Sequence, residues 1–268
     1  MNKISKRQIK EQEKALKELD EILDKANSKK DFFKYSLLIE KYISISDQIR
    51  NNYIPPLHKQ IYFDAYYVKP RSINVPFFFQ QRHVIDLFSG IGNLSHCLKN
   101  QKHLKYTLID IDEDALNIAK KLNMLNKEKI FFYKEQKYIE SEYSYIVKDI
   151  FEISTDFLKN LLDPDILPFF ILNPPFSKNI KNETLNLISN LFETAPDGSL
   201  FWIILPSSWK KDLNTLINNE ILFHKEYLTN IYFINNSQKA QGFFYEKDKP
   251  METYNDRINI KQLSLSII

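Results

Sequence analysis

Apolar residues recur at intervals of three and four over the first fifty residues, a spacing typical of amphipathic helices. The apolar positions of the two runs are Leu16, Leu19 and Leu23, then Leu38, Tyr42, Ile45 and Ile49. A polar stretch at residues 27–31 separates the runs, and Pro55-Pro56 follows the second one. This pattern predicts a helical hairpin over residues 1–52.

From residue 83 onward the pattern changes to short apolar runs that alternate with helical patterns. The predicted strands are residues 83–88, 106–110, 145–147, 169–172 and 200–205, and the clearest helical patterns cover residues 114–125 and 184–194. Strands that alternate with helices predict a parallel sheet with helices on both faces. Two later apolar stretches, residues 227–234 and 258–267, are candidates for antiparallel strands at the edge of that sheet.

The composition is that of a globular protein. A chain of 268 residues with 43% hydrophobic and 26% charged residues can form one α/β domain and an appendage. Residues 1–50 contain 12 basic and 9 acidic residues, and this excess equals the formal net charge of +3. The charge permits nucleic-acid contact without arguing for it. We expect the hairpin to pack on the domain or on a partner subunit rather than to clamp nucleic acid.

Several kinds of site and location are disfavoured by the residue types. A single cysteine, Cys97, excludes an internal disulfide and a cysteine-based zinc site within one chain. The five histidines show no HxxxH spacing, and we expect no metal. No stretch reaches the ~18 to 20 apolar residues of a membrane span, and the N-terminus lacks the apolar core of a signal peptide. We therefore expect a cytoplasmic protein that does not enter a membrane.

A glycine-rich loop follows the first predicted strand. Two of the four glycines, Gly90 and Gly92, lie within three positions of each other. Glycine accepts positive φ and lets a ligand approach the main chain, and α/β folds bind nucleotide-like ligands at such junctions. A dinucleotide is the rival ligand, but the Asp86 carboxylate would repel a pyrophosphate. The same carboxylate suits a ligand with a cationic amino-acid end.

Acidic residues follow the next two strands. Asp110 lies about 20 residues beyond the glycines, at the distance expected for an acid that accepts ribose hydroxyl groups. Asp112, Glu113 and Asp114 are typical of the first turn of a helix, where capping and the helix dipole favour them. Asp149 follows the third strand. An acid after a strand is common, and Asp149 is a candidate site residue because it comes after the glycine loop and Asp110 in the order of the motifs.

The tetrapeptide Asn173-Pro174-Pro175-Phe176 follows the fourth strand. With the D-x-x-x-G-x-G pattern of residues 86–92, it resembles the motifs of class I S-adenosylmethionine-dependent methyltransferases, in the (D/N)PP(Y/F) group that modifies amino nitrogens. The resemblance covers about residues 83–210. It implies S-adenosylmethionine as cofactor and a Rossmann-like, seven-stranded methyltransferase sheet over residues 83–268. Residues 1–52 would then be a helical extension, and residues 53–82 a connecting, substrate-side segment.

The resemblance assigns residues to three roles. The implied cofactor contacts are Asp86, Phe88, Gly90, Gly92, Asn93, Asp110, Ile111, Asp149 and Ile150. The implied catalytic residues are Asn173, Pro174, Pro175 and Phe176. Asp149 would bond the adenine amino group of the cofactor. Lys178 and Trp209 are weaker candidates for substrate contact, and Trp209 is more typical of a core residue.

The chemistry of an exocyclic amine explains the tetrapeptide. Its lone pair is delocalised into the ring, so the nitrogen is a poor nucleophile. The Asn173 side-chain oxygen and the Pro174 carbonyl can each accept one N–H, which makes the lone pair available. The prolines stiffen the turn that carries these acceptors, and Phe176 would stack on a flipped base.

The sequence therefore predicts a methyltransferase acting on an exocyclic amino nitrogen of nucleic acid, with N6 of adenine in DNA as first choice. Four alternatives stay open: RNA adenine N6, RNA guanine N2, protein glutamine N5, and a catalytically silent methyltransferase-like binding subunit. The helical N-terminus is compatible with the glutamine enzymes. The intact set of motif residues argues against the silent subunit.

Overall fold

The computed structural model describes residues 5–27, 36–62, 82–98, 105–124, 142–217, 223–227 and 240–246. Its helices are α1 Lys6–Asn27, α2 Ser36–Asn52, α3 Leu57–Tyr62, α4 Asn93–Cys97, α5 Glu113–Asn123, α6 Thr155–Leu161, α7 Lys181–Thr194 and α8 Lys210–Ile217. Its strands are β1 His83–Leu87, β2 Lys105–Asp110, β3 Glu142–Val147, β4 Pro168–Leu172, β5 Leu200–Pro206, β6 Phe223–Tyr227 and β7 Ala240–Glu246. Among these helices, none is long and apolar enough to cross a membrane.

All seven strands form one sheet in the order β3-β2-β1-β4-β5-β7-β6. The first five strands are parallel, β7 is antiparallel to β5, and β6 is antiparallel to β7. The predicted Rossmann-like α/β fold is confirmed. Strands β1 to β5 match the five predicted apolar runs within a few residues, because each is a buried or half-buried run flanked by polar loop residues.

The two edge strands differ from the sequence-based expectation. The structure has β6 ending at Tyr227, where the first predicted edge strand begins, and it has β7 at residues 240–246, which were not predicted. Residues 228–234 and 258–267, which carried the prediction, lie outside the described residues. The antiparallel addition to the sheet is therefore present, but other residues form it.

The sheet has an apolar cluster on each face because side chains alternate along a strand. On one face, Ile85 and Leu87 of β1 pack with Leu187 and Leu191 of α7 and with neighbouring residues of α6 and α8. On the other face, Val84 packs with residues of α4 and α5. Both faces are covered, so β1, β4 and β5 are fully buried, as their continuous apolar runs predict, whereas the edge strand β3 is only partly buried.

Helices α1 and α2, here called the helical pair, run antiparallel and pack on the sheet domain. The Oε1 atom of Glu18 lies 2.5 Å from the Nζ atom of Lys41, and the Gln12 side-chain N–H donates to the Ile54 carbonyl at 3.0 Å. The apolar face of the pair shares one core with the loop after β1 and with α5. The members of that shared core include Leu19, Ile22, Tyr42, Ile45, Ile49, Ile91, Ala115 and Leu122. The apolar face of the pair is thus used within the chain itself.

The shared core predicts that the helical pair and the sheet unfold together. Leu19 has no exposed surface, so Leu19→Ala leaves a cavity and lowers the free energy of unfolding by about 2–5 kcal/mol. Urea unfolding followed by tryptophan fluorescence measures this, because Trp202 and Trp209 both lie in the sheet domain.

The matched control is Leu37→Ala, since this leucine of α2 is 79% exposed and its change should shift stability by less than about 0.5 kcal/mol. A loss of helical circular dichroism in Leu19→Ala with an unchanged fluorescence transition would contradict the shared core.

Candidate active site

Parallel pairing brings the ends of three strands to one edge of the sheet. Leu87 at the end of β1 pairs with Ile109 of β2 on one side and with Leu172 of β4 on the other. Asp110 directly follows Ile109, Asn173 directly follows Leu172, and the glycine loop follows Leu87. Open α/β sheets bind ligands outside the carboxyl ends of their strands, where the strand order reverses. Residues from three separate motifs therefore meet at this edge.

The glycine loop, residues 88–92, joins β1 to α4 through backbone conformations that few side chains tolerate. The φ angle is 64° at Phe88, 53° at Gly90 and 73° at Gly92. A Cβ atom at Gly92 would lie 2.7 Å from Cδ2 of Leu108. Both the φ angle and the space at Gly92 therefore require glycine. The main-chain N–H of Gly90 donates to Oδ2 of Asp110 at 2.6 Å and closes the loop against β2.

Asp86 is a fully buried carboxylate beneath this loop. Its Oδ2 accepts the main-chain N–H of Ser95 at 3.2 Å, and its buried Oδ1 has no hydrogen-bond partner among the described residues. Burial raises the pKa of Asp86 to about 7, with a smaller contribution from Asp110. Because the unfolded chain ionises this carboxyl near pH 4 and the folded chain only near pH 7, stability falls as the pH rises between these values, unless a cation compensates the charge.

Asp110 is held at the end of β2 by main-chain donors. Its Oδ2 accepts from Gly90, and its Oδ1 accepts the N–H of Asp112 at 2.8 Å. Burial raises the pKa of the Asp110 carboxyl. The neighbouring Ile111 is apolar but 43% exposed, so an apolar surface borders the carboxylate. Asp112 caps α5 by accepting the N–H groups of Asp114 and Ala115, as expected from the sequence.

Asp149 caps a short 3-10 turn after β3 by accepting the N–H of Phe151 at 2.9 Å. The next residue, Ile150, is 2% exposed and lies in the core on the α7 face. Phe151 is half-buried, and its ring centroid lies 5.3 Å from that of Phe88 in the glycine loop. The apolar side chain beside the loop is therefore Phe151, whereas Ile150, singled out from the sequence, is buried.

The tetrapeptide lies directly after β4 in a segment without helix or strand. The Oδ1 atom of Asn173 is buried and has no hydrogen-bond partner among the described residues. Pro174 is buried, and Phe176 is half-buried against the cluster on the α4 and α5 face. A buried acceptor that lacks a donor is costly in a folded protein, so this oxygen is available to a ligand N–H.

The two weaker substrate candidates differ in position. Lys178 is exposed in a short 3-10 turn just beyond the tetrapeptide. Trp209 is 4% exposed and belongs to the core between the sheet and α7, in agreement with its interpretation as a core residue. A side chain buried in this way cannot serve as an open stacking surface.

Two basic residues near this edge were not singled out from the sequence. Lys59 of α3 is buried, and its Nζ lies 2.5 Å from Asp112 and 2.8 Å from Asp114. Arg50 of α2 is fully buried and bonds to the glycine loop. The only signal in the sequence is that arginine is rare, with five in the chain. Asn93, which the resemblance places at the cofactor, donates its side-chain N–H to the Arg50 carbonyl at 2.9 Å.

The residues at this edge fit S-adenosylmethionine in two respects. The Oδ1 atom of Asp86 is a buried acceptor that no described residue satisfies, and it suits an ammonium group. Ile111 presents an exposed apolar surface beside Asp110. This arrangement suits a nucleoside, whose base can pack on Ile111 while its ribose bonds to Asp110.

Comparison with known proteins adds an independent finding. The family model described as the methyltransferase small domain matches residues 73–206, which is half of the chain. A search of curated proteins found no match.

Solved structures with some similarity include three bacterial proteins. An rRNA methylase from Streptococcus thermophilus is 17% identical, with 63% of this chain and 88% of that chain covered and a TM-score of 0.41. A putative methylase from Haemophilus influenzae is 23% identical, with 64% of this chain and 90% of that chain covered and a TM-score of 0.41. A putative methyltransferase from Streptococcus mutans, in complex with SAH, is 19% identical, with 64% of this chain and 91% of that chain covered and a TM-score of 0.40.

The family match spans both sequence motifs, from the strand before the glycine loop to the strand after the tetrapeptide. The cofactor of this protein is S-adenosylmethionine, as the resemblance of its motifs implied. The chain therefore belongs to the methyltransferase small domain family and is an S-adenosylmethionine-dependent methyltransferase.

Proposed function

We propose that the chain methylates an exocyclic amino nitrogen of a nucleic-acid base, with N6 of adenine in DNA as the first acceptor. The observation that carries this proposal is the buried Oδ1 of Asn173 at the carboxyl end of β4, which has no hydrogen-bond partner in the part of the chain that the structure describes. It lies at the same sheet edge as the glycine loop and Asp110, which are the proposed cofactor contacts.

A planar amino group matches the acceptors of the tetrapeptide. An exocyclic NH2 has two N–H donors, and the Asn173 Oδ1 atom and the Pro174 carbonyl provide one acceptor for each. Two such bonds draw the nitrogen out of conjugation and direct its lone pair toward the methyl group. Because the prolines stiffen this segment, the acceptors need little rearrangement when the substrate arrives.

The surroundings of the tetrapeptide support a base as substrate. Phe176 is half-buried, and in this proposal its ring stacks on the base. Lys178 is exposed two residues later, where its ammonium group suits a phosphate. An aliphatic amine would need neither a stacking ring nor two acceptors that counteract conjugation.

Three acidic residues would bind three different parts of the cofactor. Asp86 pairs with the amino-acid ammonium group, Asp110 accepts the ribose hydroxyls, and Asp149 accepts from the adenine amino group. When bound, S-adenosylmethionine would supply a methyl group on a positively charged sulfur. The sulfur–methyl bond would break as the acceptor nitrogen bonds the methyl group, S-adenosylhomocysteine would leave, and the nitrogen would lose one proton to solvent. Since the cofactor carries the positive charge, the chain needs no strong general base.

The experiment that tests the proposal is methyl transfer from radiolabelled S-adenosylmethionine to DNA, RNA and protein in parallel, followed by nucleoside and peptide analysis. Label in DNA as N6-methyladenine is the expected result. Label in RNA adenine or guanine, or in protein glutamine, would replace the proposed acceptor. Cofactor binding without transfer to any pool would indicate a silent subunit.

Asn173→Ala should reduce the rate of methyl transfer by about 100-fold or more, because it removes an acceptor that acts in the transition state. The affinity for S-adenosylhomocysteine, measured by calorimetry, should stay within about twofold of wild type. The control is Asn179→Ala, an exposed position six residues later whose main-chain hydrogen bond survives the change. Full activity in Asn173→Ala would remove this residue from catalysis.

Cofactor affinity should depend on pH through Asp86. Its pKa is raised to about 7, and the ionised form is the one that pairs with an ammonium group. The dissociation constant of S-adenosylhomocysteine should therefore rise about tenfold when the pH falls from 8 to 6. Asp86→Asn should bind weakly at both pH values and lose this dependence. An Asp86→Asn variant with the wild-type slope would assign the titration to another group.

Gly92→Ala should weaken binding of S-adenosylhomocysteine by about tenfold or more, because a Cβ atom strains a φ of 73° and displaces Leu108. Gly198→Ala is the matched control, since Gly198 has a φ of 82° but lies in the turn before β5. Both changes should lower the unfolding midpoint, and only Gly92→Ala should lower the affinity of the folded protein. Equal affinities would refute the loop assignment.

A further inference from the structure

We infer that Arg50 of α2 is a positioning residue for the glycine loop, so that the helical pair forms part of the cofactor site. This inference rests on the proposed contact between the glycine loop and the cofactor. It concerns a residue about forty positions before the loop in sequence, on an element outside the parallel sheet.

The Arg50 guanidinium joins the loop to α5. Its Nη1 donates to the carbonyls of Ile91 and Gly92, both at 3.2 Å. Its Nη2 donates to the Leu122 carbonyl at 3.3 Å and to Oδ1 of Asn123 at 2.8 Å. One rigid group thus fixes two consecutive peptide units of the loop relative to the last turn of α5.

Arg50 occupies this place without a carboxylate partner among the described residues. Its side chain is fully buried, and burial lowers the pKa of the guanidinium group. Burying a cation is costly, and here main-chain carbonyls and one amide oxygen compensate it. The carbonyls at the end of α5 carry the negative end of the helix dipole, which favours a cation there.

Asn93 completes a reciprocal contact between the loop and α2. Its side-chain Nδ2 donates to the main-chain carbonyl of Arg50 at 2.9 Å. Ile91 of the loop is fully buried in the core shared with the helical pair. Three consecutive residues, 91 to 93, are therefore held by α2 through an apolar contact, a charged donor and an amide.

The loop needs external support because its backbone is unfavourable in isolation. Phe88 adopts a φ of 64°, which is uncommon for a residue with a side chain, and Gly90 and Gly92 are also in the left-handed region. Such conformations persist only where surrounding contacts determine them. Loss of the Arg50 contacts would leave the loop in several conformations, and cofactor binding would then have to order it.

The test compares Arg50→Lys and Arg50→Met with Tyr42→Phe. Tyr42 lies on the same helix, and its hydroxyl donates to the Lys121 carbonyl of α5 at 3.0 Å, so this hydrogen bond is made to α5 and not to a carbonyl of the loop. All four proteins, wild type included, are titrated with S-adenosylhomocysteine by calorimetry at a temperature where circular dichroism shows each to be folded. The unfolding midpoint of each is measured with and without the ligand.

The expected result is a dissociation constant about tenfold higher in Arg50→Lys, whose single ammonium group cannot span both contacts, and higher again in Arg50→Met. Tyr42→Phe should lower the unfolding midpoint and keep the wild-type affinity. In the transfer assay, Arg50→Lys should raise the KM for S-adenosylmethionine and leave the KM for the acceptor unchanged.

Two results would overturn the inference. Wild-type affinity in both Arg50 variants would make Arg50 a purely structural residue while leaving the cofactor assignment intact. Equal loss of affinity in Arg50→Lys and Tyr42→Phe would attribute the effect to general loosening of the helical pair. Absence of binding by the wild-type chain would overturn the cofactor assignment itself, and this inference with it.

Discussion

The central position of β1 determines where each candidate residue lies. Because β1 is hydrogen-bonded to β2 on one side and β4 on the other, residues far apart in sequence meet at one edge. The chain leaves β1 through the glycine loop, ends β2 at Asp110, and leaves β4 through Asn173. No long side chain has to bridge the motifs, since the parallel register brings the main chain of each to the same level.

This edge is also where the fold tolerates unfavourable features. Asp86 and Asn173 each bury an oxygen without a partner among the described residues, and the loop between β1 and α4 contains three positive φ angles. Each feature lowers the stability of the ligand-free protein, and a bound ligand can satisfy the two oxygens. The stabilising contacts lie behind the edge, in the two apolar clusters and the core shared with the helical pair.

Local signals allowed most of the sheet and part of the site to be predicted. The strands β1 to β5 are apolar runs, and Asp112 caps α5 because an acid before a helical pattern satisfies its first N–H groups. β7 was missed because its sequence, residues 240–246, contains Gln241 and Gly242, and its conformation depends on pairing with β5. The resemblance implied an apolar neighbour of Asp149 and could not distinguish the buried Ile150 from the half-buried Phe151, because both are apolar and only the folded chain shows which is covered.

Tertiary contacts of charged residues had no local signal. Arg50 and Lys59 stand in helical segments where basic residues normally face solvent, and only the folded chain shows what they bond. Their partners are main-chain carbonyls and helix-capping acids, which occur in every sequence.

The shared core of the helical pair makes the methyltransferase fold of this chain non-modular. The family match begins at residue 73, yet Ile91, Ala115 and Leu122 within it are covered by residues that precede it. Excision at the family boundary would uncover these side chains and free the carbonyls that Arg50 holds. If the sheet domain is fused into another protein, α1 and α2 must therefore be included.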